Sequence, residues 1–466
     1  DKALELRPGF EEAEDLLADL LNRQGQSNAC LPIYRARIER DGPMSSSISS
    51  YLFTELYSDE ISVEQKFANH QQMTATWCER KIEHSFTNLA TPDKTLKVGF
   101  VSADFRDQHP VGIFIQALFK HYNKSQFTFN AYYTSRTFDD STYIIKDQID
   151  TWVDAASWSD ERLRAKIIED QIDILIDLSG HTAKHRLRMF ALRCAPVQIT
   201  WMGYPHSTGL SEMDYMIADK IVCPEENDHL CSEQVLRLDE HSVFCFPVTE
   251  EFAEPKISDS LLTDRPIVFG SFNNLTKINP SILSLWCRLL NEVPNSKLKL
   301  KTPSFTDNEC RQEFVDYFVG QGIDKQRLIF TGPSSLEHMM AEYNQVDIAL
   351  DTFPYNGGTT SFQAVWMGVP VLTLAGNNFC GRMGASVMSH LDLADWVAQD
   401  EDDFIAIAQK LVANRQQLYD LKQGLRQHMA TSPLCDTKGF TANYEVLLRK
   451  AWHQYCLNTT SNDALH

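Results

Sequence analysis

The residues Gly357-Gly358-Thr359-Thr360 stand where an apolar run, Asp347-Ile348-Ala349-Leu350, gives way to a helical pattern from Ser361 to Gly368. A second apolar run, Val369 to Leu374, follows. The order implied is strand, loop, helix, strand. Such a loop lies at the carboxyl end of a buried strand and the amino end of a helix. Free N–H groups and the positive end of the helix dipole favour an anion there, a phosphate for example. Gly357 and Gly358 let the backbone approach that anion, and Thr359 and Thr360 add hydroxyl donors. A tight turn with no ligand has the same pattern, so the stretch alone specifies a ligand site in an α/β sheet and nothing finer.

Other apolar runs end in polar turns of the same kind. Ser102 to Pro110 follows one run, and Pro110 suits a first helical turn. His109 then sits at the helix mouth, where a neutral imidazole could accept a proton or orient a hydroxyl. Leu178-Ser179-Gly180-His181-Thr182 follows a second run, with His181 and Thr182 as donors. In Trp201-Met202-Gly203-Tyr204-Pro205, Gly203 and Pro205 would build a rigid wall, although a purely structural turn explains them too. Phe272 to Pro280 holds Asn274, able to bond a sugar or phosphate, and Lys277, a point charge suited to a diphosphate or else an ordinary surface amine. His338 lies at a helix start and could meet a ribose or base. No GxxxxGK[ST] phosphate motif is present, nor a GxGxxG with a following acidic residue, which argues against an ATPase or a dehydrogenase. No DxD pair ends a strand, and Asp139-Asp140 reads as a surface turn. A phosphate leaving group would then be neutralised by a lysine and helix N-termini, with no metal and no cofactor.

The elements that must carry these residues alternate. From Leu96, strands and helices succeed one another: Leu96–Val101, helix His109–His121, Phe127–Tyr133, helix Trp158–Gln171, Ile172–Leu178, Val197–Trp201 and Tyr215–Ala218. A second series begins at Ile267. Alternation of this kind predicts doubly wound parallel sheets. The fold class expected is α/β, with two Rossmann-like domains facing a cleft, preceded by an α-helical tetratricopeptide-like segment. The boundaries expected are 1–27 for that segment, 28–94 for a helical linker, 95–225 for the first lobe, 226–264 for a short linker and 265–466 for the second lobe. In the first segment, Ala13, Leu16, Leu17, Leu20 and Leu21 recur at helical spacing after Pro8, as in the close of a tetratricopeptide repeat or in a plain helical hairpin.

Composition bounds the function. Of 466 residues, 43% are hydrophobic and 23% charged, which fits a soluble globular protein of two or three domains. A formal net charge of −20 argues against nucleic acid and anionic membranes as partners. The 11 cysteines form no CxxC pair, so metal spacing is absent and a reducing, cytoplasmic location is expected. No run of apolar residues is long enough for a transmembrane helix. The start at Asp1, inside a helical pattern, suggests a piece of a longer chain.

Taken together, these motifs resemble the catalytic region of the tetratricopeptide-linked O-GlcNAc transferases and the related SPINDLY proteins, inverting glycosyltransferases of Ser and Thr. The resemblance rests on Val98 to Phe105 with His109-Pro110, on Ala195 to Pro205, on Phe272 to Ile278, and on Leu350 to Thr360. It implies that Lys277 neutralises the leaving diphosphate, that Gly357, Gly358, Thr359 and Thr360 hold the phosphates, and that His338 lies near the nucleoside. It implies further that His109 lines the sugar and acceptor pocket, with Lys277 and His109 as the catalytic pair, and that His181, Gly203, Pro205 and Asn274 contact the nucleotide sugar. The donor implied is UDP-GlcNAc, or GDP-fucose as in plant SPINDLY proteins, and the acceptor a protein. Upstream repeats would allow oligomers. Two departures bear on the donor: Gly358 replaces the histidine of animal enzymes, and Gln363 replaces a usual acidic residue. A sugar-nucleotide-binding scaffold without catalysis, or a transferase of lipid or small glycans, shares the architecture.

Overall fold

The computed structural model describes residues 2–7, 9–79, 86–248 and 252–463. The chain forms two compact units, one of Asp1–Gly42, Phe53–Ser62 and Val248–Ser432, the other of Pro43–Leu52, Val63–Pro247 and Pro433–His466. Each is built on one parallel sheet. No helix among the described residues is long and apolar enough to cross a membrane.

The sheet of the unit holding residues 63–247 has seven strands: β1 (Leu96–Ser102), β2 (Phe127–Tyr133), β3 (Thr151–Asp154), β4 (Ile174–Asp177), β5 (Val197–Thr200), β6 (Tyr215–Asp219) and β7 (Gln234–Leu238), in the order β3-β2-β1-β4-β5-β6-β7. All pairings are parallel, with Val98 opposite both Phe129 and Ile174. Parallel strands need crossovers that cover both faces, and β4, β5 and β6 are buried throughout. Helix Pro110–His121 joins β1 to β2, and Asp160–Glu169 joins β3 to β4. The final helix, Thr437–Asp463, returns to this unit: Thr441 donates to the Ala117 carbonyl at 3.1 Å, and Glu445 accepts from the Asn123 N–H at 2.6 Å.

The other unit repeats the plan with β8 (Ile267–Ser271), β9 (Ser296–Lys301), β10 (Leu328–Thr331), β11 (Ile348–Leu350), β12 (Val371–Leu374) and β13 (Val397–Ala398), in the order β10-β9-β8-β11-β12-β13. In both sheets the order reverses beside the first strand, between β1 and β4 and between β8 and β11. Ligands of open α/β sheets bind outside the carboxyl ends of strands at that reversal.

Several expected boundaries are corrected. Residues 226–247 are not linker, because β7 pairs along its whole length with β6. Residues 433–466 belong with the first sheet, not the second lobe, and 28–94 is divided between the units rather than forming one linker. The strands β3, β7 and β13 escaped the sequence reading because they lie at sheet edges, where the apolar pattern is short or broken by polar residues. Asp139-Asp140 is not a surface turn: Asp139 caps helix Asp140–Gln148, accepting from the Thr142 N–H at 2.9 Å. The N-terminal stretch is helical, over Glu11–Arg23 and Ser27–Asp41. Its periodic Leu16 and Leu20 are nevertheless exposed, whereas Glu14 is buried because Arg40 grips it through two bonds of 3.2 and 3.0 Å. Pro8, the expected break, lies outside the described residues.

Candidate functional site

Both sheets carry the same device at the reversal. Asp177 closes β4, and its carboxylate accepts from the Ser179 and Gly180 N–H groups at 3.2 and 2.8 Å and from the Thr200 hydroxyl at 3.1 Å. Asp351, just past β11, accepts from the Thr352 and Gly357 N–H groups at 2.8 and 2.6 Å and from the Thr373 hydroxyl at 2.8 Å. Burial raises both carboxyls to about 6, although these hydrogen bonds pull the other way. Each aspartate therefore ties its loop back onto its strand.

In the second sheet's unit, the loop so tied holds most of the phosphate-type groups. Gly357 is packed tightly: a Cβ there would lie 2.6 Å from the Ser361 and Thr360 hydroxyl oxygens and 3.2 Å from Asn273 Oδ1. Gly358 faces open space, with nothing within 4 Å of such a Cβ. Helix Thr359–Trp366 begins there, and the Thr359 hydroxyl is buried with no hydrogen-bond partner among the described residues. A donor without a partner, beside the unsatisfied N–H groups of a helix start, is the arrangement a phosphate oxygen completes.

Lys277 reaches this loop. It ends the short turn Leu275–Lys277, and its ammonium donates to the Asn356 carbonyl at 2.7 Å and lies 4.4 Å from the centre of the Tyr355 ring. Dehydration lowers its pKa to about 8, against the pull of Asp351. The surroundings fix its position. Tyr355 stacks on Tyr57 at 4.8 Å, Thr276 donates to the Asn22 carbonyl at 3.1 Å, and Asn356 is held by Thr352 and Gly384. Gly25, at φ +78, brings the N-terminal helices onto this turn, since a Cβ would lie 2.8 Å from the Leu275 carbonyl.

The structure places the other expected residues less uniformly. Asn274 is exposed, and its neighbour Asn273, which the sequence reading passed over, accepts from the Thr360 hydroxyl at 2.9 Å. Gln363 is buried in the helix and His338 is exposed on Leu336–Glu342. Lys277, Asn273, Gly357, Thr360 and Asp351 are thus brought together.

In the unit of the first sheet, His109 caps helix Pro110–His121. Its Nδ1 accepts from the Val111 N–H at 3.3 Å, so a neutral ring carries its proton on Nε2, 3.5 Å from Asp104 Oδ1. Burial lowers its pKa, with Asp104 opposing. Held this way the neutral ring presents Nε2–H, and of the two roles open to it, accepting a proton or orienting a hydroxyl, this suits the second. His181 is buried with both nitrogens engaged: Nε2 donates to the Thr208 carbonyl at 2.8 Å, and Nδ1 accepts from the Ser49 hydroxyl at 2.9 Å. It braces its unit. Gly203 is a glycine because a Cβ would collide with the Leu178 carbonyl, and Pro205 is buried beside it. Neither His181 nor Pro205 presents itself to a ligand in the described geometry.

Comparison with known proteins gives the family of the chain. The model of Glycosyl transferase family 41 matches residues 59–246 and 256–444. A Petunia hybrida protein named probable UDP-N-acetylglucosamine–peptide N-acetylglucosaminyltransferase SPINDLY is 36% identical over 378 residues, 80% of this chain and 40% of its own length. The Caenorhabditis elegans UDP-N-acetylglucosamine–peptide N-acetylglucosaminyltransferase is 24% identical, over 77% of this chain and 41% of its own. The solved structure of a mutant O-GlcNAc transferase from Thermobaculum terrenum superposes with a TM-score of 0.93 at 29% identity, covering 98% of this chain and 87% of that one. The chain spans about two fifths of the length of these curated relatives.

Proposed function

The chain belongs to glycosyltransferase family 41, and from that premise we propose that it transfers a sugar from a nucleotide diphosphate donor to Ser and Thr hydroxyls of proteins, with inversion. The observation that carries this reading is the Lys277 ammonium, fixed on the Asn356 carbonyl beside the unpartnered Thr359 hydroxyl and a helix start. In this reading the acceptor hydroxyl attacks the anomeric carbon opposite the departing diphosphate. Lys277 and the N–H groups at Gly358 and Thr359 take up the negative charge that develops on the leaving oxygen. His109 is the group assigned to the sugar and acceptor. The scheme is written without a metal or cofactor, the charge being met by Lys277 and the helix start. The place of action is the cytoplasm.

The preferred donor is UDP-GlcNAc, the sugar nucleotide in the names of the relatives. GDP-fucose is the second reading. It is favoured by the greater identity to the SPINDLY protein than to the animal enzyme, 36% against 24%, and by Gly358 and Gln363. The test is incubation with each donor and a peptide pool in the presence of a chelator, followed by intact masses. Addition of one N-acetylhexosamine or one deoxyhexose selects the donor. Tight nucleotide binding in calorimetry with no mass increment from any donor would replace catalysis by a binding role.

A further inference from the structure

Two adjoining cavities, of about 410 and 230 Å³, share Asp160 and Arg188 as walls. All their lining residues belong to the unit of the first sheet. Arg188 borders both as a cation without an anion. Its Nη2 donates to the Met44 and Ser45 carbonyls at 2.8 and 3.0 Å, and its guanidinium lies 5.2 Å from the centre of the Trp77 ring. Among the described residues no carboxylate pairs with it, and its Nε and Nη1 have no acceptor. Asp160 is taken by Arg186 at 2.7 Å. His185 borders the smaller cavity, and its Nδ1 accepts from the Leu187 N–H at 3.2 Å. The neutral ring therefore carries its proton on Nε2, where that N–H has no acceptor among the described residues. The exposed Ser46 adds a hydroxyl to the same cavity. The larger cavity has apolar walls in Met44, Trp77 and Leu192, with the exposed Glu161 beside them. Trp77 is fixed there: its indole N–H donates to the Pro43 carbonyl at 3.1 Å, and its ring stacks on His185 at 6.4 Å.

We infer that the paired cavities bind a small organic monoanion, a carboxylate on a flat apolar body, with the carboxylate in the smaller cavity and the body in the larger. Apolar walls beside a few polar groups, in a space of several hundred Å³, are the make-up of a small-molecule site. Charge sets the valence. The guanidiniums of Arg186 and Arg188 against the carboxylate of Asp160 leave one positive charge, which a monoanion cancels and a dianion exceeds. Glu161 borders only the larger cavity, so negative charge is disfavoured on that side. The donors without acceptors, on Arg188 and His185, border the smaller one. A carboxylate takes several hydrogen bonds at once, and those from a guanidinium are of the stronger kind. Burial lowers the pKa of Arg188, and a bound anion would offset that loss of hydration. The site also has a neighbour of interest. Ser49, on the wall of the smaller cavity, donates to His181 Nδ1 at 2.9 Å, so the ligand would lie against the brace of the loop after β4. The inference is independent of the transfer proposed above, because none of these groups belongs to the loop after β11.

The test is saturation-transfer NMR and calorimetry on the full chain with phenylacetate as the probe. Saturable binding is expected. Acetate has the charge without the body, and benzyl alcohol the body without the charge; each should bind more weakly by about tenfold or more. Arg188→Gln should weaken phenylacetate by about tenfold or more. Ser46→Asp places a carboxylate beside Arg188 and should abolish binding of the probe. Ser46 is exposed and immediately precedes helix Ser47–Glu55, where aspartate caps as well as serine does. That variant therefore keeps its fold even if Arg188→Gln, which frees two carbonyls, does not. No saturable binding of phenylacetate up to about 10 mM, or binding in Ser46→Asp equal to that of the wild type, overturns the inference. Phenyl phosphate binding more tightly than phenylacetate overturns the choice of a monoanion.

Discussion

Lys277 is the residue on which the proposed chemistry turns, and its environment makes a pH prediction. Folding lowers its pKa from the usual lysine value to about 8, so the charged form predominates below pH 8 and is lost above it. If the charge stabilises the leaving diphosphate, kcat/KM should fall as pH rises through about 8. The limb in kcat should lie higher, because bound phosphate favours the ammonium. Lys277→Met should reduce transfer by about 10²- to 10³-fold with little change in thermal midpoint; turnover like that of the wild type would remove the assigned role. The two glycines separate by the space around them. Gly357→Ala forces a methyl against two hydroxyls and should weaken nucleotide binding in calorimetry by distorting the loop, whereas Gly358→Ala leaves the packing of the loop intact and acts only on the bound phosphate. The sequence left Lys277 open between a diphosphate contact and an ordinary surface amine, and its bond to the Asn356 carbonyl places it at the loop after β11. The choice between Asn274 and Asn273 was not legible there, since neighbours in a loop point to opposite sides and only the packed Thr360 hydroxyl decides between them.

At the scale of elements, the sequence held a signal that periodicity does not reveal. Asp173-Ile174-Leu175-Ile176-Asp177 and Asp347-Ile348-Ala349-Leu350-Asp351 are the same phrase in the two sheets. In each, the first aspartate accepts from the backbone of the neighbouring first strand, Lys97 N–H at 2.9 Å and Val268 N–H at 2.8 Å. The second ties down the loop beyond. A buried strand with an aspartate at both ends looks costly on hydropathy alone, and it becomes intelligible only when the parallel neighbours supply donors. Edge strands stayed illegible for the opposite reason, having too little burial to impose a pattern. The element-scale prediction follows from the donors. Asp351→Ala leaves the Gly357 N–H and the Thr373 hydroxyl without their acceptor and should cost about 1–3 kcal/mol of stability. Lys277→Met removes no such acceptor. Urea unfolding of both variants, with nucleotide binding measured beside it, separates a loop that has lost its tie from a site that has lost its charge; equal stabilities would show the tie to be dispensable.

The whole molecule sets two families of buried groups against each other as pH falls. Asp177 and Asp351 hold protons more tightly folded than unfolded, with pKa values raised to about 6, so between about pH 6 and 4 they favour the folded state progressively. Histidines act in the opposite sense. His70 donates from Nδ1 to the Lys66 carbonyl at 2.7 Å, accepts at Nε2 from the Tyr204 hydroxyl at 2.7 Å, and stacks on His206 at 4.4 Å. Burial lowers His70 and His185 to about 4, and His181 and His206 go well below the ordinary value. A group whose pKa is lowered by folding contributes stability that is complete above its unfolded value near 6.5 and is lost as pH falls towards the folded value. A tenfold change in proton affinity on folding corresponds to about 1.4 kcal/mol. The two aspartates at about 6 and the two histidines at about 4 are displaced by comparable amounts in opposite senses, so their contributions roughly cancel. His181 and His206 then tip the sum. The urea midpoint should therefore fall between pH 6.5 and 4, and it should fall less steeply in His206→Phe, which removes one buried imidazole that cannot charge in place. A midpoint that rises on acidification would mean that the aspartates outweigh the histidine cluster.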